Sequence, residues 1–493
     1  MFEKIKRLGT ETAIYGISTI LGRFLNFFLV PIYTNVFPTS EYGIVAYVYS
    51  LIAFLTVVYG YGMESAYFKY SSTKEIGSDR QNFTTPFLSL LASSLVVSAL
   101  LIFLAPSVAS LVDLPPSHKA IVGYSALILL FDTIAVVPFA SLRMEGKAML
   151  FAVLKSVNIV VNVAANLILL LVFHTGIEGI FLSGLIASAC TVIMLIPTIV
   201  RHFEPGFSLP LYRALLAFGL PYIPAGLATM MLQVVDRPVL RALTNDATVG
   251  VYQANYRLGI FMMLVVSMFD YAWRPFFLSN AREPDAKQLF ARVLTYFVLF
   301  MSIIFLGLSF FLQYLVKMQI FGRHLIHPDY WGGLPIVPVI LLAYVFLGIY
   351  NNLVAGIYIE KKTQHLPYIT IAGAITNVVA NFLLIPSLGM MGAAIATLLS
   401  YAVMAGTLYV VVQRFYPVQY ELLRLAKIAV ALSVVFTLFV VVKVEGLHLV
   451  WEAFLLLLFG ALMYGMKFFA PSELGGLRRI FLRFSSGNFP SAQ

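Results

Sequence analysis

Apolar blocks of about twenty residues follow one another along almost the whole 493-residue chain, separated by short breaks that carry Pro, Gly or charge. A helix of that length rises 1.5 Å per residue and covers a hydrocarbon core of roughly 30 Å. Fourteen blocks can be marked, at 10–36, 42–64, 84–105, 120–141, 149–173, 177–200, 214–235, 250–273, 289–312, 334–358, 366–385, 390–412, 422–442 and 448–469. Hydrophobic residues make up 60% of the chain and charged ones 11%, against about 45–50% and about 25% in a water-soluble domain, so the bilayer is the expected solvent. The predicted fold class is all-α: a polytopic membrane protein of about 14 transmembrane helices. The first block follows Lys4, Lys6 and Arg7, as a secretory signal would. It is too long for one, holds Arg23 and Asn26, lacks a small-residue cleavage site and reads as the first span.

Orientation follows from where Lys and Arg fall. Twenty-four of the 32 lie in loops on the amino-terminal side, six on the other side, and Arg23 and Arg257 lie inside spans. That asymmetry predicts a multi-pass protein of the cell's inner (plasma) membrane with both termini cytoplasmic. The net charge of +10 sits in short loops, so anionic membrane lipids rather than nucleic acid are the expected neighbours. Cys190 is the single cysteine, so no disulfide holds the fold.

Matches at fixed offsets point to an internal repeat. Pro31 and Gly43 recur as Pro238 and Gly250, both 207 residues on. Asn162-Val-Ala-Ala-Asn166 recurs as Asn377-Val-Val-Ala-Asn381, 215 residues on, and Gly176/Gly179 has a counterpart in Gly389/Gly392. The copies are six spans apart. Six is even, so both insert the same way and a parallel repeat about an axis along the membrane normal is expected. The predicted units are an amino-terminal six-helix lobe (1–205), a second six-helix lobe (206–415), and two additional helices with a basic tail (416–493).

Polar residues at membrane depth are costly and are functional candidates by default. Arg23, Asp132 and Arg257 are the charges expected inside spans, and Asp132 is the candidate for ion coupling. A structural alternative is an Arg23–Asp132 pair that only locks the first lobe. Asn158, Asn162 and Asn166 form one helical stripe, repeated by Asn377 and Asn381. They either line a cavity and bond sugar hydroxyls or tie helices together. His324, His327 and Asp329 lie in a Pro/Gly-rich loop, and no metal site is expected of them. No nucleotide-binding P-loop, G-x-S-x-G or H-E-x-x-H is present, so no cofactor is expected and a gradient must drive any movement.

Several features together carry a family likeness: Tyr15-Gly16 to Arg23, the Pro31-to-Gly43 stretch, Gly62-Met-Glu-Ser-Ala-Tyr-Phe-Lys69-Tyr, Tyr252-x-x-Asn255-Tyr256-Arg257 and the paired Asn-Val-x-Ala-Asn runs. On these the chain resembles a polysaccharide flippase of the multidrug/oligosaccharidyl-lipid/polysaccharide exporter superfamily. The resemblance implies two six-helix lobes around a central cavity, alternating access, and a polyprenyl-pyrophosphate-linked oligosaccharide as cargo, with H+ or Na+ as a coupling ion. It also implies that Arg23 and Arg257 meet the pyrophosphate, with Asn26, Asn158, Asn162, Asn377 and Asn381 as further substrate contacts. Fourteen spans are similar to the lipid II flippases, although no further arginine lies deep in the second span. A drug or cation antiporter of the same superfamily would want acidic cavity residues. A membrane glycosyltransferase or ligase would want a large outer loop with carboxylates, and none is present.

Overall fold

The computed structural model describes residues 22, 24–25, 27–320, 322–442, 444 and 446–470. Among them are 12 helices long and apolar enough to cross a membrane, or 13 if a bent pair is one span. They coincide with the second to fourteenth expected spans. At the end of the first span the described residues form the helix Leu29–Val36. Large apolar side chains lie fully open on the helix flanks, as with Phe103 at 81%, Leu111 at 85% and Leu457 at 74% exposure, which suits lipid and not water. The chain folds as a multi-pass α-helical membrane protein. The region from 313 to 333, expected as a loop, carries regular structure among its described residues. The ninth-span helix Ala286–Lys317 runs into it, a two-stranded ribbon pairs Gln319–Ile320 with Arg323–His324, and a 3-10 helix covers Pro328–Ile336.

Contacts divide the chain into two compact units, Met1–Ser279 with Val316–Phe415, and Asn280–Leu315 with Tyr416–Gln493. In the second unit the ring centroids of Phe310 and Phe439 stand 4.5 Å apart. There Glu452, only 2% exposed, accepts hydrogen bonds from Gln313 Nε2 at 3.0 Å and Tyr314 Oη at 3.1 Å. A lone carboxylate in lipid-facing helices needs such donors, since an unpaired one is heavily penalised there.

In the first unit, span 2 (Thr39–Gly60 continuing as Met63–Thr73) packs along span 8 (Asp246–Tyr256 continuing as Ile260–Asn280). The two cross at the repeat-related glycines, where backbone meets backbone. A Cβ on Gly43 would stand 2.7 Å from the Asp246 carbonyl carbon and 3.1 Å from Gly250 N. One on Gly250 would stand 2.9 Å from both the Thr39 carbonyl carbon and Gly43 N. The contact is reciprocal: Gly43 meets Asp246, and Gly250 meets Thr39, which is the residue 207 before Asp246. Such a pattern is that of an isologous contact about a local two-fold axis.

Span 7 (Leu209–Gly219, then Tyr222–Val234) bends by 43° where Pro221 removes a backbone donor. Span 2 breaks at the same contact. Gly62 there has φ 73°, a left-handed conformation that suits glycine, and a Cβ on it would lie 2.7 Å from the Gly219 carbonyl carbon. Both breaks therefore touch, and the spans above and below can tilt about them.

At the end where Lys and Arg are scarce, Arg241 joins the halves. Its guanidinium donates to Asp246 Oδ1 at 2.6 Å, to Val112 O at 2.7 Å and to Asp113 O at 2.7 Å, and lies 4.2 Å from the Tyr47 ring centroid. Asn35 Nδ2 donates to His324 O at 2.8 Å and Tyr330 Oη to Phe37 O at 2.9 Å, closing the same end. We expect Arg241→Ala to loosen this closure, because charge-assisted bonds of about 1.5–3 kcal/mol each are lost at once. The check is maleimide labelling of Val249→Cys in a Cys190→Ala background. Labelling should rise at least tenfold with Arg241→Ala, and an unchanged rate would mean that Arg241 holds nothing shut.

Candidate functional site

The seventh span ends at Val234, close to the expected residue 235, but the chain does not leave the helical conformation there. After Val235 the apolar spacing continues through Val239, Leu240 and Leu243, and the chain stays helical over Asp236–Leu243. Asp236 and Arg237, expected at the edge of a loop, are therefore buried at 3% and 5% exposure. Arg237 Nη1 donates to Asp236 Oδ1 at 2.5 Å and to Gln233 O at 2.7 Å, and Nε donates to Gln253 Oε1 at 3.0 Å. Tyr252 donates its hydroxyl to the other Asp236 oxygen. The Tyr256 ring lies 4.2 Å from the guanidinium carbon. Every charge in this knot is answered, so breaking one partner should cost about 3–5 kcal/mol, the penalty of an orphaned buried charge.

One turn further on, span 8 tightens into a 3-10 segment, Arg257–Gly259. It carries Arg257, which is exposed and makes no ion pair or side-chain hydrogen bond among the described residues. Arg257 sits on the wall of a cavity of about 660 Å3 shared with Arg237, Tyr256, Asp270, Tyr344 and Tyr401. It is also near enough to Tyr33, Tyr42 and Tyr49 of spans 1 and 2 to act on them electrostatically. Arg257 thus looks from one half of the first unit toward the other.

In the amino-terminal half, Asp132 of span 4 (Ala120–Met144) is exposed and accepts a hydrogen bond from Ser188 Oγ of span 6 (Glu178–His202) at 2.7 Å. Lys155 and Tyr49 are its charged and polar neighbours, with Lys155 Nζ 4.3 Å from the Phe139 ring and Tyr49 stacked on Phe181 at 5.0 Å.

The asparagines serve the helices in this conformation. Asn158 Nδ2 donates to Ala187 O at 3.0 Å and Thr191 Oγ1 at 2.8 Å. Asn166 Nδ2 donates to Asn162 O at 2.9 Å and accepts at Oδ1 from Tyr33 Oη at 2.8 Å. Asn381 Nδ2 repeats the first of these on Asn377 O at 2.9 Å. Asn377 and Asn381 are 1% and 0% exposed and do not reach the cavity. Arg23 and Asn26 lie outside the described residues, so an Arg23–Asp132 pair does too. His324 Nδ1 lies 2.9 Å from Lys317 O, His327 lies 3.4 Å from Asp329, and no group of three ligating side chains occurs among the described residues.

Residues 8–281, just over half the chain, match the model of a family described as polysaccharide biosynthesis protein. The chain belongs to that family. No curated protein sequence matches it. Among solved structures this family member resembles a lipid II flippase, MurJ, in an inward closed conformation. The TM-score is 0.74 at 16% identity, over 92% of this chain and 99% of the other. It also resembles an inward-facing multidrug resistance MATE family transporter of the MOP superfamily, with a TM-score of 0.59 at 14% identity over 80% and 94% of the two chains. The Vibrio cholerae MATE transporter VcmN in its bent form gives 0.57 at 14% identity, over 83% and 97%. This member of the polysaccharide biosynthesis family thus shares its fold with these MurJ and MATE structures.

Two parts of its cavity escaped sequence reading. Asp236 and Arg237 were masked by Pro238, which suggested a span end although the apolar spacing went on. The tyrosine wall was hidden because tyrosine counts as apolar in a block. Its signal was there: Tyr256, Ile260, Met263, Ser267 and Tyr271 follow i, i+4, i+7, i+11 and i+15, one face of a helix. Besides Asp132, the carboxylates of Asp236, Asp270 and Glu452 also lie in helices.

Proposed function

We propose that this protein moves polyprenyl-pyrophosphate-linked oligosaccharide from the cytoplasmic to the outer leaflet by alternating access, for export of cell-surface polysaccharide. One observation supports this most: a guanidinium, Arg257, unpaired among the described residues, on the wall of a large cavity in a chain of the polysaccharide biosynthesis family. Arginine offers a planar fork that matches phosphate oxygens and keeps its charge when partly desolvated. The moving parts would be lobes 1–205 and 206–415, with both termini in the cytoplasm and residues 416–493 as an addition. Arg23 would join Arg257 on the pyrophosphate. The local two-fold contact of Gly43 and Gly250 fits such a pair of lobes. The direct test is purified protein in liposomes: the proposal requires fluorescent lipid-linked disaccharide to change sidedness at constant mass, and a change of mass instead would mean an enzyme.

A drug or cation antiporter is the second reading, favoured by the exposed Asp132 carboxylate and by the MATE-like fold. In the flippase reading the same carboxylate couples transport to H+ or Na+. Asp132→Asn is then expected to fold and insert normally, yet to transport at a rate that no longer responds to an imposed proton or sodium gradient. Unchanged gradient dependence in liposomes would reduce Asp132 to a partner of Ser188.

A further inference from the structure

We infer that the cavity beside span 8 is the glycan subsite of this transporter and is built for uncharged sugar rings, stacked on Tyr271 and Tyr350, with the pyrophosphate at Arg257. The inference rests on the flippase reading and says which end of the cargo lies where.

Charge decides the class. Three charged side chains line the cavity: Arg237, Arg257 and Asp270. Arg237 is answered by Asp236, and Asp270 by Arg274 Nη2 at 3.0 Å. Among the described residues only Arg257 is left over, so the described wall carries one unanswered positive charge, at one end. A pyrophosphate fits that end. A run of uronic acids further along would meet the Asp270 carboxylate and no cation to spare. A lipophilic cation would have to sit beside Arg257.

The remaining wall has what sugar rings need. Tyr256 already faces Arg237, and Tyr344 already packs beside Tyr401 at 6.4 Å. Tyr271 and Tyr350 line the same cavity, are half-buried, and stack on no ring or cation among the described residues. The side-chain amides of Gln233 and Asn351, also in the wall, make no hydrogen bond among the described residues. Thr229 donates back to its own helix, to Ala225 O, and keeps acceptor lone pairs, while Thr370 donates to Leu366 O and holds the Tyr350 hydroxyl by a side-chain hydrogen bond. Apolar ring faces beside unspent amide and hydroxyl groups match a pyranose, which has C–H faces and a hydroxyl rim. From Arg257 to Tyr271 span 8 advances fourteen residues, roughly 21 Å at 1.5 Å each, enough for several rings in line. The volume of about 660 Å3 falls within the range of small-molecule sites.

The test measures affinities of full-length protein in nanodiscs for four probes. They are polyprenyl pyrophosphate without sugar, the same lipid carrying an N-acetylhexosamine disaccharide, the same lipid carrying a uronic acid disaccharide, and tetraphenylphosphonium. Wild type should bind the neutral disaccharide lipid at least tenfold more tightly than the bare lipid, and more tightly than the uronic one. Tyr271→Ala and Tyr350→Ala should each reduce that advantage about three- to tenfold and leave the bare lipid unaffected, while Tyr271→Phe and Tyr350→Phe keep it. Equal loss for bare and sugar-bearing lipids, no preference in wild type, or preference for the uronic lipid overturns the subsite. Binding of tetraphenylphosphonium with neither neutral nor bare lipid overturns the flippase reading itself, and the subsite with it.

Discussion

Replacing Arg257 with alanine is expected to abolish nearly all transport of lipid-linked oligosaccharide while leaving membrane insertion normal. The side chain is exposed on the cavity wall and unpaired among the described residues, so its loss orphans no partner and opens no core void. The cost should fall on the cargo. Losing one charge-assisted bond to phosphate, about 1.5–3 kcal/mol, weakens binding roughly ten- to a hundredfold. Arg257→Lys should retain part of the activity, because the charge stays and the fork is lost. Binding of polyprenyl pyrophosphate should also weaken as salt is raised, whereas uptake of a neutral detergent should not. Liposome flipping and direct binding by the alanine variant settle it: wild-type values in both would leave Arg257 without a role in gripping an anion. Arg237→Ala is a useful contrast. That arginine is spent on Asp236 and Gln253, so its removal should lower folded yield before it alters selectivity.

A side chain at the crossing of spans 2 and 8 should be nearly as damaging, by another route. Gly250→Val or Gly43→Val adds atoms where only backbone lies opposite, and backbone cannot rotate away as a flexible side chain can. The two helices must separate, which overpacking data price at about 1–3 kcal/mol, a shift of roughly five- to a hundredfold against the closed arrangement. An alternating-access carrier that cannot close this end leaks or stalls. Maleimide labelling of Val249→Cys, a position buried beside this crossing, reports the contact in a Cys190→Ala background. Labelling should be slow in the otherwise native protein and at least tenfold faster with Gly43→Val, together with transport below a tenth of normal. Unchanged labelling and full transport in the valine variant would show that this crossing tolerates bulk and is not part of the cycle. Because the contact is reciprocal, Gly43→Val should reproduce the effect of Gly250→Val in size.

Much of this architecture is written in one dimension. Apolar blocks of about twenty residues specify membrane-crossing helices because lipid leaves the backbone no partner but itself, and all thirteen described spans stand where those blocks lie. The matches at offsets of 207 and 215 were legible because glycines and asparagines are demanded by local geometry, Gly43 and Gly250 by backbone contact, Asn166 and Asn381 by a shared bond to the preceding turn. Arg257 was legible because a charge inside a span is too costly to be incidental. Tertiary structure alone decided which polar residues face each other. The asparagine stripe allowed either a cavity or helix contacts, and only the positions of Ala187, Thr191 and Tyr33 turn it toward helices here. Asp236 and Arg237 became a buried pair, and Tyr271 and Tyr350 part of one cavity wall, through the packing of helices far apart in sequence. The physical reason is that hydrophobic blocks encode how far a segment runs through lipid but carry no information on its rotation about its own axis. That rotation is set by partners such as Gly259 against Tyr344, and it determines whether a side chain meets lipid, another helix or the cargo.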